Sequence, residues 1–254
     1  MIPFVSSFIS EAWYKILEGT SIENVTVDEW KELKPIIPYL PSQFLLRINI
    51  TCEEMLQLFG GIELRQEQLA MLAEVVLSVW GDEIVNSESH LMKLGNIFCG
   101  LPNTHLENIE PNIFRSLVQN KFFKQAKGCD TKKWSILSNK AQTFQNFGPT
   151  RTWQPNTFEK IGYVLSGLSV KEMRQIQPAC FRHIRKEEID ELPVEILKRM
   201  RTAQLLKFPP PSLLLWRRKT KDFRRLCSNG NSTLRFTSLT FLLLSLNIWF
   251  SRDR

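Results

Sequence analysis

The sequence predicts an all-α fold of the α-solenoid class, a stack of short helices, on three observations. Apolar residues recur at helical spacing, glycine is sparse at 11 of 254 residues, and one segment is repeated further along the chain. The composition is otherwise that of a globular protein, with 43% hydrophobic and 23% charged residues. A turn-rich β architecture usually needs more glycine, so the totals favour helices.

Two stretches show helical periodicity most clearly, residues 62–80 and residues 181–207. In each, apolar residues follow one another three or four positions apart, which places them on one face of a helix. They are Leu69, Leu72, Ala73, Val76 and Trp80 in the first stretch, and Phe181, Ile184, Ile189, Leu192, Ile196, Leu197, Met200 and Leu205 in the second. Short breaks rich in proline or glycine separate the predicted helices.

An internal duplication is the most informative feature of the chain. Residues 94–117 align with residues 161–184 without a gap, at an offset of 67 positions. The identical pairs are Gly95 and Gly162, Gly100 and Gly167, Leu101 and Leu168, Ile109 and Ile176, Pro111 and Pro178, Phe114 and Phe181, and Arg115 and Arg182. Five further pairs keep apolar character, so both segments are predicted to adopt the same structure.

The duplicated segment predicts a unit of short helices. A helix ends at Gly100 or Gly167, where glycine adopts the left-handed conformation that a helix C-terminus needs. Pro102 then suits the first turn of the next helix, and Ser169 fits the corresponding place in the second copy as a capping residue. The second proline of each copy starts another short helix. None of these helices can bury its apolar stripe alone, so neighbouring units are expected to stack.

A shorter element, Leu-Pro-x-x-x-Leu-x-x-Ile, occurs inside and outside the duplication. It covers residues 40–48 and 101–109, and residues 192–200 carry it with methionine in the last place. Its recurrence extends the predicted repeat to most of the chain.

The predicted organisation has four parts. A polar segment that contains Trp134 and Trp153, interpreted as a long connection or an irregular helix, separates two repeat blocks. These two tryptophans are candidates for a contact surface because their neighbours are polar. A basic and apolar C-terminal tail is expected to lie outside the fold. The boundaries are 1–120 for the first helical block, 121–157 for the connection, 158–208 for the second helical block and 209–254 for the tail.

The tail carries the whole net charge of +7, because residues 209–254 hold nine Lys/Arg and two acids. The remaining residues balance, which disfavours nucleic acid as a partner of the body. Within the tail, a basic cluster at 217–225 precedes an apolar run at 236–250. That run has the length of a lipid-anchor signal, with a possible attachment site at Ser228, Asn229 and Gly230, although the spacer between them is short. Membrane contact through the tail and an aberrant terminus with no folded role both stay open.

Cysteines and glycosylation signals bear on the compartment. The five cysteines show no CxxC pair and their number is odd, so at least one thiol is free or pairs between chains, and no disulfide framework is predicted. The N-terminus lacks the basic region of a signal peptide. Three triplets match the N-glycosylation signal, at Asn24, Asn49 and Asn231.

No catalytic signature is present in the sequence. His90, His105 and His183 are far apart and lack the cysteine or acid spacing of a metal site, so neither a metal nor a cofactor is expected. Ser166 lacks the glycine of a nucleophile elbow and aligns with Cys99, which indicates a packing position. The acidic run at 187–191 is interpreted as the exposed first turn of a helix. The sequence therefore predicts a protein that is not an enzyme.

The pattern Gly-Leu-Pro-x-x-x-Leu-x-x-Ile-x-Pro-x-x-Phe at 100–114 resembles the repeats of the mesothelin, stereocilin and otoancorin family. The weaker copy at 167–181 and the segment at 191–200 resemble them too, and the resemblance covers roughly residues 35–205. It implies an armadillo-like superhelical repeat on the outside of the cell, glycosylated and often lipid-anchored. It also implies adhesion to extracellular matrix glycoproteins or carbohydrate, as where acellular gels of the inner ear attach to epithelium in hearing. No catalytic residue comes with it.

Two functions remain in view from the sequence. One is a cell-surface or extracellular adhesion protein, which the repeat and the three glycosylation signals favour. The alternative is an intracellular helical scaffold whose basic tail contacts nucleic acid or an anionic membrane. The alternative predicts free thiols and binding that weakens steeply with salt.

Overall fold

The computed structural model describes residues 25–221, and every regular element within that range is a helix. Fourteen short α-helices follow one another. They are α1 (Val27–Leu33), α2 (Ser42–Leu45), α3 (Glu53–Gly60), α4 (Gln66–Trp80), α5 (Glu88–Leu94), α6 (Asn103–Asn108), α7 (Pro111–Gln119), α8 (Thr131–Ala141), α9 (Pro155–Ile161), α10 (Val170–Gln175), α11 (Lys186–Glu191), α12 (Val194–Arg199), α13 (Thr202–Leu205) and α14 (Pro210–Thr220). This confirms the all-α prediction for the described residues.

Short 3-10 helices connect many of the α-helices. They span Ile37–Tyr39, Asp82–Asn86, Gly95–Gly100, Phe122–Lys124, Thr150–Thr152, Gly162–Gly167 and Pro178–His183. One continuous apolar core runs from Trp30 to Trp216, and all the apolar pairs of the duplication lie in it. Because each helix is only a few turns long, tertiary packing rather than helix propensity holds these elements in place.

The two copies of the duplication pack in the same way. In the first copy, the 3-10 helix Gly95–Gly100 lies against α4, and in the second, Gly162–Gly167 lies against α8. Gly100 abuts the backbone carbonyl of Leu69, and Gly167 abuts that of Trp134. The shared sequence therefore encodes a shared contact between a 3-10 helix and the α-helix about thirty residues before it.

The prediction of left-handed glycines at Gly100 and Gly167 was wrong. Within the duplicated segments, positive φ values occur at Gly95 (50°) and Gly162 (60°), where an α-helix is followed directly by a 3-10 helix. Gly100 and Gly167 have ordinary backbone angles, and there a β-carbon would overlap the neighbouring helix backbone. Absence of a side chain, rather than conformational freedom, is what these two positions require.

The prolines of the repeat and Ser169 lie at helix starts, as predicted, but one proline lies one residue earlier than expected. Pro102 occupies the N-cap position of α6, one residue before the first turn where it was expected. Ser169 caps α10, and its hydroxyl accepts a hydrogen bond from the Glu172 amide. Pro111 and Pro178 each stand at the start of a helix, where the missing amide hydrogen costs nothing.

A recurrent hydrogen bond joins helices that lie about thirty residues apart in the sequence. The third residue of a helix is long or polar, buried, and donates to a main-chain carbonyl 28 to 34 residues earlier. The donor side chains and their carbonyls are Gln68 to Leu40 (2.8 Å), Lys133 to Cys99 (2.6 Å), Gln204 to Ile176 (3.0 Å) and Ser212 to Ile184 (2.8 Å). Such carbonyls lie where short helices end and lack a partner within their own helix, so these donors remove a desolvation cost.

The segment at 121–157 contributes a helix to the core. In α8, Trp134, Leu137 and Ala141 are buried, and the indole of Trp153 donates to the Gly148 carbonyl at 2.9 Å. Neither tryptophan is available as the contact surface that its polar neighbours suggested. The exposed polar residues of α8, such as Lys132 and Asn139, lie on its outer face, whereas Lys133 and Ser138 are buried.

The packed part of the chain continues beyond Phe208, where the repeat pattern was expected to stop. Helix α14 packs against α11 and α12, and the indole of its fully buried Trp216 donates to the Leu197 carbonyl at 3.0 Å. Lys219 lies across the end of α11 and donates to the Leu192 carbonyl at 3.2 Å. Part of the basic cluster at 217–225 is therefore anchored in the fold, and residues 222–225 lie outside the described residues.

Glu188 departs from the interpretation of the acidic run as an exposed helix turn. It is 2% exposed, accepts a hydrogen bond from the Arg185 amide at 2.9 Å, and pairs with the Arg185 guanidinium at 3.0 Å. Burial raises the pKa of this carboxyl above its ordinary value of 4.5, against the opposing effect of Arg185. Glutamine holds the same helix position in Gln68 and Gln204, so a carboxylate is not required there.

We expect Glu188→Gln to gain stability relative to the parent protein as the pH rises. A raised pKa in the folded state means that the protonated carboxyl stabilises the fold fully below the unfolded pKa, and that this stabilisation is lost as pH rises through the folded pKa. Urea unfolding of both proteins between about pH 4 and pH 8 measures the difference. The exposed neighbour Glu187→Gln serves as the control, and parallel pH profiles for Glu188→Gln and the parent would contradict the expectation.

Candidate functional site

A disulfide between Cys99 and Cys129 joins the first copy of the repeat to the segment before α8. The two Cα atoms are 4.5 Å apart, and the bridge closes 30 residues of chain. The expectation of a packing position at Cys99 holds, since this residue is fully buried, but the sequence did not reveal its partner. The second copy has Ser166 in the equivalent place, where its buried hydroxyl lacks a hydrogen-bond partner.

The environment of the bridge is tightly bonded. The Cys99 carbonyl accepts hydrogen bonds from Lys133 Nζ at 2.6 Å and from Gln66 Nε2 at 3.2 Å. Burial lowers the pKa of the Lys133 ammonium from its ordinary value, and the nearby Asp130 opposes this. The other cysteines in the described range are free thiols: Cys52 is half-buried and Cys180 is buried, with the pKa of Cys180 raised by burial.

A groove of about 590 Å³ lies beside Gly95, where the first of the two repeated 3-10 helices begins, and beside Tyr163 of the second. Lys93, Lys124, Lys127 and Arg185 line it together with acidic residues. The polar side chain at the base of the groove has hydrogen-bond partners within the protein. The side-chain amide of the buried Asn96 donates to the Ile62 carbonyl at 2.9 Å, and its oxygen accepts from the backbone amide of Lys127 at 2.7 Å. Lys93 and Lys127 are paired with Glu53 and Glu63. The groove is thus a mixed-charge seam without a cluster of free groups.

The three histidines lie apart, each beside one carboxylate. His90 is 3.5 Å from Glu53, His105 is 2.9 Å from Asp82, and His183 is 3.9 Å from Glu159. Within residues 25–221, no three His, Cys, Asp or Glu side chains are placed to hold a metal ion. None of these histidines is paired with Ser166 or with a free thiol in those contacts.

The charge of the body is segregated along the chain, although its sum is neutral. Residues 25–110 hold thirteen acidic and five basic side chains, and residues 111–182 hold three acidic and twelve basic ones. The first block therefore carries −8 and the second carries +9. The expectation that any attraction to polyanions belongs to the tail needs correction, because the second block is strongly basic by itself.

A structured loop at 142–148 presents an aromatic ring from the basic block. Phe144 is 94% exposed, whereas Phe147, three residues on, packs against the core near Phe114. The Asn146 amide donates to the Lys140 carbonyl at 2.8 Å, and the Gly148 amide donates to the Thr143 carbonyl at 2.9 Å. The loop is therefore held by its own hydrogen bonds while the Phe144 ring faces solvent.

Asn49 occupies an exposed position in the loop between α2 and α3. Thr51, the residue that completes its glycosylation signal, is exposed as well, so the triplet is accessible to modification. The other two signals, at Asn24 and Asn231, lie outside the described residues, as do Ser228, Asn229 and Gly230 and the apolar run at 236–250. Among the helices at 25–221, none has both the length and the apolar character needed to cross a membrane.

The described chain is thus an all-helical protein of many short helices with an internal duplication, a disulfide and a segregated surface charge. It is similar to otoancorin of Mus musculus, with 24% identity over 123 residues, which are 48% of this chain and 10% of otoancorin. The match thus covers only a tenth of the length of that relative and supports a distant relationship. No family model matches the chain. No solved structure matches it either.

Proposed function

We propose that this protein is a non-enzymatic adhesion protein of the cell surface or extracellular space, built as an armadillo-like α-solenoid. Its partners in this proposal are matrix glycoproteins or carbohydrate, at attachments of the kind the family makes to the acellular gels of the inner ear. The Cys99–Cys129 disulfide is the observation that carries the extracellular part. Structural disulfides persist in oxidising compartments and are rare in the cytosol.

Two further observations support the same compartment. Asn49 and Thr51 are both exposed in a loop, which is where an N-linked glycan can be attached and accommodated. The partial similarity to otoancorin agrees with the resemblance of the Leu-Pro repeats to that family. Membrane attachment through the C-terminal tail belongs to the proposal as well, and it concerns residues outside the described range.

The solenoid is supported by the spacing of contacts between layers. Side chains near the start of one helix bond carbonyls 28 to 34 residues earlier, and this occurs from Gln68 through Ser212. Contacts that recur at a similar separation along the chain are the pattern that nearest-neighbour stacking produces. A binding role is favoured over catalysis because the histidines are dispersed and the groove offers no matched acid, base and nucleophile.

Expression of the full chain in a secretory cell line, with a signal peptide added if the chain is not exported by itself, tests the proposal. We expect a glycosidase-sensitive protein in which Asn49→Gln removes one glycan and Thr51→Ala removes the same one. Asn103→Gln, a change of the same kind outside any glycosylation signal, is the control. Thiol labelling of the unfolded protein should leave Cys99 and Cys129 unmodified until the protein is reduced, because in the folded protein burial alone would protect Cys99.

The intracellular scaffold is the outcome that would overturn the proposal. In that case Asn49 carries no glycan even when a signal peptide directs the chain into the secretory pathway, and Cys99 and Cys129 of the unfolded protein react with a thiol reagent without prior reduction. The extracellular assignment then fails.

A further inference from the structure

We infer that the surface around Phe144 binds a sulfated polysaccharide, with the aromatic ring against a sugar face and arginines against sulfate groups. The Phe144 surface is defined here as the loop 142–148 with Arg115, Arg151, Lys171 and Arg174. This inference deepens the proposed function, on which it rests, because sulfated polysaccharides are met outside the cell.

The contacts of the loop bring these cations around one aromatic ring. On one side, the Arg115 guanidinium donates to the Gln145 carbonyl. On the other side, Thr150 Oγ1 donates to the Glu172 carbonyl at 3.0 Å, which fixes Arg151 beside α10. Helix α10 carries Lys171 and Arg174, both exposed. The loop therefore lies between Arg115 and the cations of the next layer.

Charge favours an anionic partner at this surface. From residue 131 to residue 158 the chain contains no Asp or Glu, and Arg151 is exposed within that stretch. The acids that border the surface are Glu107, which lies near Lys140, and Glu172, whose carboxylate is engaged by Ser169 at the start of α10. The four cations of the surface, Arg115, Arg151, Lys171 and Arg174, outnumber those two acids.

The exposure of Phe144 favours a sugar over a simple ion. A phenylalanine that is 94% exposed in a hydrogen-bonded loop gains nothing for the fold, while Phe147 already anchors that loop. Aromatic rings bind flat, partly apolar partners through their faces, and planar guanidinium groups bind tetrahedral anions through paired hydrogen bonds. A sulfated sugar chain presents both apolar sugar faces and tetrahedral anions, so its chemistry fits the combination of an aromatic ring and arginines.

The test measures binding of the secreted full chain to immobilised heparin, with heparin stripped of sulfate as the matched control ligand. We expect the protein to bind heparin with an affinity that falls steeply as the salt concentration rises, and not to bind desulfated heparin. Phe144→Ala should weaken binding about tenfold, as expected for the loss of a stacked aromatic contact. The double variant Arg151→Glu with Arg174→Glu should weaken it about a hundredfold. All three side chains are exposed, so folding should not change.

Leu46→Ala and Arg47→Glu are the control variants, an exposed apolar residue and an exposed cation that lie together in the acidic block. Both should bind heparin as the parent protein does. The inference is overturned if the parent does not bind heparin, if Phe144→Ala behaves like Leu46→Ala, or if double-stranded DNA or phosphatidylserine vesicles bind equally well with the same dependence on Phe144. Because glycosylation at Asn49 and the disulfide are scored on the same preparation, failure of heparin binding is distinguishable from failure of the proposed function.

Discussion

Gly167→Ala is expected to destabilise the protein by about 3 kcal/mol, because its β-carbon has no space. A β-carbon at this position would lie under 3.0 Å from the backbone oxygen, carbon and nitrogen atoms at Trp134 and Ser135. Those atoms belong to the main chain of α8, which cannot rotate away as a flexible side chain could. The 3-10 helix and α8 must therefore separate, and the loss of their contact weakens the second copy of the repeat.

Urea unfolding followed by circular dichroism measures this effect, and Gly61→Ala is the matched control. Gly61 has a φ of −84°, and a β-carbon there would be 3.4 Å from the nearest atom, so alanine is accommodated. We expect Gly61→Ala to stay within about 1 kcal/mol of the parent. Gly100→Ala should reproduce the large loss in the first copy, where the backbone of Leu69 is the obstacle. Equal stabilities for Gly61→Ala and Gly167→Ala would refute the close approach.

Loss of the Cys99–Cys129 bridge is expected to cost about 3–4 kcal/mol, from the entropy that a closed loop of 30 residues removes from the unfolded chain. The double variant Cys99→Ala with Cys129→Ala removes the bridge without leaving a buried hydroxyl like that of Ser166. Because the carbonyl of residue 99 remains, its hydrogen bonds from Lys133 and Gln66 are kept.

Chemical unfolding of the oxidised protein, the reduced protein and the double variant measures the contribution of the bridge. The reduced parent should match the double variant, and both should unfold at lower denaturant concentration than the oxidised parent. Cys52→Ala, which removes a half-buried free thiol, is the control and should change stability little. If reduction leaves the unfolding midpoint of the parent unchanged, the bridge does not contribute as expected.

Much of the helical structure could be predicted because its signals are local. Helical periodicity, the prolines at helix starts and the capping Ser169 each depend on residues within a few positions of one another. Trp134 was predicted to belong to a contact surface, although Leu137 and Ala141 follow it at helical spacing and indicate a buried face. The polar composition of the segment outweighed that pattern. A strongly polar outer face and a narrow apolar face are compatible in a surface helix.

The features that could not be predicted depend on residues far apart in the sequence. Gly100 is required by the backbone of Leu69, and the pairing of Cys99 with Cys129 follows no spacing rule. The recurrent hydrogen bonds to distant carbonyls share one local feature, since each donor is the third residue of its helix, but no single sequence motif marks their donors Gln68, Lys133, Gln204 and Ser212. At the candidate binding surface, the neutral sum of the body concealed the basic block at 111–182, and only the loop geometry separates the exposed Phe144 from the anchored Phe147.

The hydrogen bonds from Gln68, Lys133, Gln204 and Ser212 to distant main-chain carbonyls also affect how far the sequence can change without loss of the fold. Each bond ends on a main-chain carbonyl, which every amino acid supplies, so the accepting residue can be substituted without loss of the bond. Only the donor position is constrained, and here glutamine, lysine and serine all serve at Gln68, Lys133 and Ser212. Proteins that use these bonds can therefore keep the same arrangement of helices while most of their sequence changes. We expect distantly related chains to have in common the residues that start helices and the close-packed glycines, even where the rest of their sequences differs.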